Sequence, residues 1–310
     1  PLKSVYGTQG VPAAANVPGA REQAQSWTTP DQKLWLMGGI GTDDNGETGN
    51  LNDLWRFDPA TQMWTWLKGS KLKNQAGNYG PGATPAAMRV PGGRIDAATW
   101  TDASGHLYLF GGYISRNTSS GGDTILMNDL WRYNPADNLW TFLLGGQLNQ
   151  DPAVFGTLGE PNPANVPGAR RGAATWIDNA GNLWMFGGYG TTDENRVASG
   201  LNDLWKYTPS SNQWTWMGGT KLKNQHGVYG TITVPSGTAM PGYRRDAVAW
   251  TDADGHLWLF GGEGFAGSGY FDVLNDLWKY NTVTNQWTWM HGSDLPERGA
   301  VFGSLGVEDA

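Results

Sequence analysis

Leu257-Trp-Leu-Phe-Gly-Gly262, then Asn275-Asp-Leu-Trp-Lys-Tyr280, then Trp287-Thr-Trp289 decide the architecture, because each of these stretches has three earlier counterparts. Asn-Asp-Leu-Trp begins at Asn52, Asn128, Asn202 and Asn275, at spacings of 76, 74 and 73 residues. The Gly-Gly pair begins at Gly38, Gly111, Gly187 and Gly261, and Trp-Thr-(Trp/Phe) at Trp64, Trp140, Trp214 and Trp287. Three independent markers keep one register, so the chain is a fourfold tandem repeat, and a fixed period of this kind sets the fold.

Each repeat reads as four short strands. In the second, strand A covers about 95–100, strand B 107–110 up to Gly111-Gly112, strand C 129–133 and strand D 139–143. The segments are rich in Trp, Tyr, Phe, Thr and Leu, and turn-forming Asp, Asn, Gly and Pro separate them. No stretch carries a 3.6-residue apolar period over ten or more residues, so almost no helix is expected. The 18 Trp all fall at repeat-equivalent positions. Filling the wedges between sheets is their default use, and stacking on sugar is the alternative for any one that is exposed.

This pattern, a strand ending in a Gly pair, a strand with an aromatic one residue past a basic one, and a later Trp, resembles the kelch repeat over roughly residues 21–291. The resemblance implies an all-β fold, a β-propeller of four four-stranded antiparallel blades around a central axis. Repeats are expected at about 21–93, 94–169, 170–243 and 244–291, within a single domain over 1–310. The repeat is about 75 residues rather than the nearly 50 of kelch, and four repeats stand where kelch propellers usually have six or seven. The excess lies in the D-to-A connection, such as 145–169. In this the chain resembles the long-repeat kelch-like arrays of bacterial surface and secreted proteins, with Tyr-Gly-Thr and Val-Pro-Gly-Ala-Arg in that connection. A secreted or cell-surface location is the corresponding expectation.

The connection motif occurs five times, at Tyr6, Tyr79, Phe155, Tyr229 and Phe302. Residues 1–20 and 292–310 therefore read as partial connections, and with Pro1 in place of Met the chain reads as a processed or excised product. Three arrangements follow: a closed four-bladed ring, a four-blade segment of a larger propeller or half of an eight-bladed dimer, and a head-to-tail assembly through the chain ends. The closed ring is expected, since closure covers sheet edges.

Strand parity places the B–C and D–A loops on one face and the short A–B and C–D turns on the other. The B–C loops (40–51, 113–127, 189–201, 263–274) and the D–A loops of about 25 residues are the long ones, so this face is expected to bind a protein or glycan ligand. The B–C loops differ among repeats, which favours one asymmetric site or none. Loop aromatics Tyr113, Tyr189, Phe265 and Tyr270 are the candidates for stacking on sugar. An Arg precedes strand A in every repeat, at Arg21, Arg94, Arg170 and Arg244. Four guanidinium groups around the channel mouth would hold an anion or acidic peptide, as some kelch domains do. The other reading pairs them internally with Asp53, Asp129, Asp203 and Asp276, or with Asp96 and Asp246.

Other chemistry is sparse. Asp43, Asn45 and Glu47 supply closely spaced oxygens of the type Ca²⁺ takes, but in one repeat alone and without a full calcium-loop frame. No other cofactor is expected. His106, His226, His256 and His291 are scattered and imply no metal cluster. The chain has no Cys, so the copper site of galactose oxidase, a kelch propeller that needs a Tyr cross-linked to Cys, is excluded. Familiar hydrolase, zinc-protease and phosphate-loop motifs are missing. A net charge of −7 argues against nucleic acid, and no apolar run is long enough for membrane insertion. The sequon Asn117-Thr118-Ser119 matters only where the source glycosylates. A non-enzymatic extracytoplasmic binding or assembly module is the resulting expectation. A lectin-like carbohydrate-binding propeller, a structural subunit and an unrecognised enzyme at the channel mouth are its rivals.

Overall fold

The computed structural model describes residues 2–80, 84–115, 124–146, 150–192 and 195–299. The sequon at Asn117 and the connection motif at Phe302 lie outside these residues. All regular structure among them is β. Blade 1 consists of Gln25–Thr28, Leu34–Met37, Leu54–Asp58 and Met63–Lys68. Blade 2 consists of Ala98–Thr101, Leu107–Phe110, Leu130–Asn134 and Leu139–Leu144. Blade 3 consists of Ala174–Ile177, Leu183–Phe186, Leu204–Thr208 and Gln213–Gly218. Blade 4 consists of Val248–Thr251, Leu257–Gly264, Asp272–Asn281 and Gln286–His291. Each is an antiparallel A-B-C-D meander. Each also bulges at the Leu-Trp step of strand C, as at Leu54/Trp55 and Leu130/Trp131.

Local chemistry accounts for the turns. Asp102 Oδ1 accepts the backbone N–H groups of Ser104 and His106, closing the A–B turn. The C–D turns end on Gln62, Asn138, Asn212 and Asn285, all at positive φ. Three of the four are Asn, a side chain that tolerates the left-handed region.

Two expectations need correcting. Strand A of blade 2 begins at Ala98 rather than 95, because Asp96 sits at φ 52° and breaks the extended run. Ile95 leaves the blade and pairs with Tyr113 instead. The B–C loops are also more regular than their composition suggests. They fold back as short hairpins, such as Ile40–Thr42 with Thr48–Asn50, to which Arg21–Glu22 adds a third strand. In blade 4 strand B carries on past the Gly pair, with a register shift between Phe260 and Gly262. In blades 1 to 3 strand B ends just before the Gly pair, as expected, and the pair has a second role. It is a joint: both residues take positive φ, and a Cβ on Gly112 would stand 2.6 Å from the Ile95 carbonyl. That close approach is what only Gly permits. The same residue donates its N–H across the blade boundary to Arg170 O at 2.8 Å.

Successive blades are glued by one repeated device. The indole N–H of the strand A Trp in blades 1 to 3 donates to a strand B carbonyl of the next blade: Trp27 to Tyr108, Trp100 to Trp184 and Trp176 to Trp258. Three apolar clusters fill the wedges between blades 1 and 2, 2 and 3, and 3 and 4. Between blades 4 and 1 no such cluster forms among the described residues. Trp27, Trp100 and Trp176 are 5%, 4% and 3% exposed, whereas Trp250 is 43% exposed. The four blades therefore form an open arc, and the expected closed ring is not seen.

Candidate functional site at the channel mouth

The four arginines that precede strand A are buried within the blades. Arg94 donates to Asp129 Oδ1 at 2.6 Å and Oδ2 at 2.8 Å, to Gly111 O at 2.9 Å and, through Nε, to Gly92 O at 3.1 Å. Asp129 Oδ2 also accepts Trp131 Nε1–H at 2.7 Å and the Tyr79 hydroxyl at 2.8 Å. One guanidinium thus ties the incoming connection, the Gly pair after strand B and the start of strand C. Arg21–Asp53–Trp55–Tyr6 and Arg244–Asp276–Trp278–Tyr229 repeat the arrangement. Arg170–Asp203–Trp205 repeats it without the hydroxyl, because Phe155 replaces Tyr. Burial, and then the adjacent Asp129 carboxylate, push the Tyr79 phenol well up, so it stays protonated and donates.

The mouth itself is built by the next two positions. Residues Glu22, Ile95, Arg171 and Arg245 come first, then Gln23, Asp96, Gly172 and Asp246. The second set is chained around the axis by backbone bonds from Asp96 N to Gln23 O, Gly172 N to Asp96 O and Asp246 N to Gly172 O. All four have φ between 52° and 64°. Three of them are not Gly, and such backbone strain tends to gather at functional sites. These residues, with Ala24, Gln25, Ala97 and Ala173, line an open cavity of about 220 Å³.

Two unequal arginines flank the cavity. Arg171 donates to Asp96 Oδ2 at 3.0 Å, and its guanidinium lies 4.8 Å from the Tyr113 ring and 5.8 Å from the Tyr189 ring. Arg245 donates to Glu263 Oε2 at 2.6 Å, stands 3.9 Å from Asp246 and lies 5.8 Å from the Phe271 ring. Both side chains reach solvent, at 21% and 24% exposure, unlike the buried arginines beside them. Burial raises the Asp246 carboxyl above its ordinary range, the Asp96 charge adds to this, and Arg245 and Arg171 oppose it. A half-buried carboxyl with a raised pKa, beside a second carboxylate and two cations, is equipped for proton transfer on an anionic ligand.

Tyr113 and Tyr189 are therefore brought to the mouth. Phe265 packs on His226 and joins a neighbouring cluster with Tyr243 and Phe271. Tyr270 is exposed away from it, its hydroxyl donating to Glu297 at 2.7 Å. Sequence reading missed Arg171, Arg245, Glu263 and Phe271. A signal was present: Arg-Arg occurs at 170–171 and 244–245, whereas Arg21 and Arg94 are followed by Glu22 and Ile95.

Asp43 is buried, and its carboxylate accepts the backbone N–H groups of Asn45, Glu47 and Lys73. Asn45 and Glu47 are exposed, and Glu47 pairs with Lys73. On the opposite face, Asp252, Asp254 and His256 form the one group among the described residues whose ligand atoms all lie within 4.8 Å. Asp252 there is occupied as a turn cap, accepting N–H groups of Asp254, His256 and Trp258. A larger cleft of about 360 Å³ on this short-turn face, lined by Trp35 and Arg56, shows no comparable convergence of acids and bases.

The four-bladed, antiparallel architecture is that of a β-propeller, and the chain is similar to the following known proteins. The solved structure of YjhT superposes with a TM-score of 0.51 at 18% identity, over 95% of this chain and 70% of that one, a likeness of fold. N-acetylneuraminate epimerase of Escherichia coli is 27% identical over 207 residues, 55% of this chain and 49% of the relative. Multiple epidermal growth factor-like domains protein 8 of Homo sapiens is 28% identical over 238 residues, 75% of this chain and 6% of the relative. No family model matches. The chain thus spans about half the length of the bacterial relative and a small part of the human one.

The first of these curated relatives overturns the expectation of a non-enzymatic module, since it is an enzyme by name. The absence of Cys removes galactose oxidase chemistry and nothing more. Acids and arginines drawn from three blades leave no linear motif for sequence reading to find.

Proposed function

We propose that the channel mouth binds an acidic sugar and inverts one of its stereocentres by proton transfer. The observation that carries the proposal is that Asp96 and Asp246 line one cavity, with Arg171 bonded to Asp96 and Arg245 standing 3.9 Å from Asp246. The likeness to N-acetylneuraminate epimerase supports it. Arg171 and Arg245 engage the sugar carboxylate, and Arg guanidinium suits that pairing. Asp96 and Glu263 hold the two guanidiniums in place. Tyr113, Tyr189 and Phe271 offer ring faces to the C–H side of the sugar. Asp246, whose carboxyl pKa is raised by burial and by the Asp96 charge, is assigned as general acid, and the Asp96 carboxylate as base.

Exchange between the epimeric forms of N-acetylneuraminate, followed by NMR, tests this. Asp246→Asn should slow exchange about 10²–10⁴-fold, the usual worth of a general acid, with binding retained. Arg245→Ala should weaken binding at least about tenfold, the loss expected of a charge-assisted hydrogen bond. Binding without exchange by the wild-type chain would leave a carbohydrate-binding propeller. No binding at all would overturn the assignment of the mouth.

A further inference from the structure

The two terminal blades of the arc expose faces that are buried at every internal interface. On blade 4, Val248, Trp250 and Phe260 are 61%, 43% and 43% exposed. Their counterparts Ala98, Trp100 and Phe110 are buried against blade 3. On blade 1, Leu34 is 42% exposed, and Leu36, Phe57 and Trp64 are only partly buried. Their counterparts Leu183, Met185, Tyr207 and Trp214 are all sealed by blade 2. One end of the chain carries the leading half of the interface and the other end the trailing half.

We infer that blade 4 of one molecule docks on blade 1 of a second copy, reproducing the internal interface head to tail. The match extends to individual groups. Trp176 Nε1–H donates to Trp258 O at 2.7 Å, and Trp100 Nε1–H to Trp184 O at 3.0 Å. Trp250 has no such acceptor among the described residues and lies stacked on Trp258, 6.0 Å between centroids and 7° between planes. The equivalent acceptor is the carbonyl of the partner's Trp35. Phe110 meets Trp214 at 5.4 Å, and Phe186 meets Trp287 at 5.5 Å. Phe260 would meet the partner's Trp64 in the same way. Trp184 packs on Tyr280 at 5.5 Å, which sets Trp258 against the partner's Phe57. The Gly pair follows suit. Gly112 N donates to Arg170 O and Gly188 N to Arg244 O, and Gly262 N would reach Arg21 O of the partner subunit. A second copy is the occupant chosen because it supplies every one of these groups in a register already used three times. An interface of this kind is heterologous, closing a ring or extending a chain according to its angle.

Light scattering over a concentration series is the test, made on the whole 310-residue chain. Masses in multiples of 33.6 kDa, rising with concentration, are expected. Phe260→Lys and Leu34→Glu change residues already exposed, so each should fold and each alone should give a monomer. Mixing these two variants should restore a pair, because Phe260 of the Leu34→Glu molecule and Leu34 of the Phe260→Lys molecule remain intact. Trp250 fluorescence should shift to the blue on association. A wild-type monomer up to about 100 μM, far above the μM affinity of a weak specific interface, would overturn the proposal. So would an oligomer that survives Phe260→Lys.

Discussion

Replacing Asp129 by Ala probes the feature on which the blades most depend. Arg94 and Asp129 have fully buried side chains, and the carboxylate takes two guanidinium bonds plus the Trp131 and Tyr79 donors. Removing one partner of a buried pair costs about 3–5 kcal/mol, because the remaining charge is stranded. The indole and phenol donors are orphaned too, at about 1–3 kcal/mol each, though these losses overlap and do not simply add. An overall loss of about 5 kcal/mol is the working figure, a large share of the roughly 5–15 kcal/mol that holds a domain. Asp203→Ala should cost less by about 1 kcal/mol, since Phe155 brings no hydroxyl to that site. Urea unfolding followed by Trp fluorescence measures both. If Asp129→Ala is too unstable to purify, Arg94→Met with Asp129→Leu provides the control: replacing both charges by apolar groups should recover most of the loss. A single variant that loses under 1 kcal/mol, or a double variant no better than the single, would refute the reasoning.

Asp246→Asn should stabilise the chain near neutral pH and change little in acid. The folded-state pKa is raised, mainly by burial, so wild-type stability falls as pH climbs from the unfolded carboxylate value through the raised folded one. Unfolding curves at a series of pH values should show the two proteins converging at the acid end, and a constant gap would refute the assignment. Trp176→Phe should cost about 1 kcal/mol from the lost interblade bond to Trp258 O, whereas Trp250→Phe should be nearly neutral to unfolding of the isolated monomer. Differential scanning calorimetry of the pair, at a concentration too low for association, checks the contrast.

The repeat period made the blades legible, because short aromatic strands between turn residues can be placed from one register mark. Boundaries failed where the backbone does something no residue type announces. Asp96 at φ 52° looks like any Asp, yet it detaches Ile95 from strand A and moves the strand start to Ala98. The Gly pair was visible but its role was not. Gly stops a strand and also lets a neighbouring blade approach, and only the second use explains the bond from Gly112 to Arg170 O. The open fourth interface was illegible for a different reason. Trp250 holds the same repeat position as Trp100, and whether a neighbour covers it depends on curvature summed over four blades.

The site and the scaffold are set by adjacent residues under opposite demands. Arg94, Arg170 and Arg244 hold the blade together and must be alike, because each closes the same three backbone segments. The residues just after them carry no share of that bonding and differ in all but two repeats: Glu22, Ile95, Arg171 and Arg245. A rigid repeated frame thus sets unequal groups at one repeat position, and the two arginines arrive on neighbouring blades, each beside an Asp that lines the cavity. This explains why a search for four matching residues finds the framework and passes over the chemistry. Exchanging Arg171 for Ile, the residue blade 2 carries at that position, should therefore cost only about 1 kcal/mol of stability, the worth of its partly exposed ion pair and ring contacts. Binding of N-acetylneuraminate, measured by titration calorimetry, should weaken. Equal losses of stability and binding would place Arg171 in the frame instead of the site.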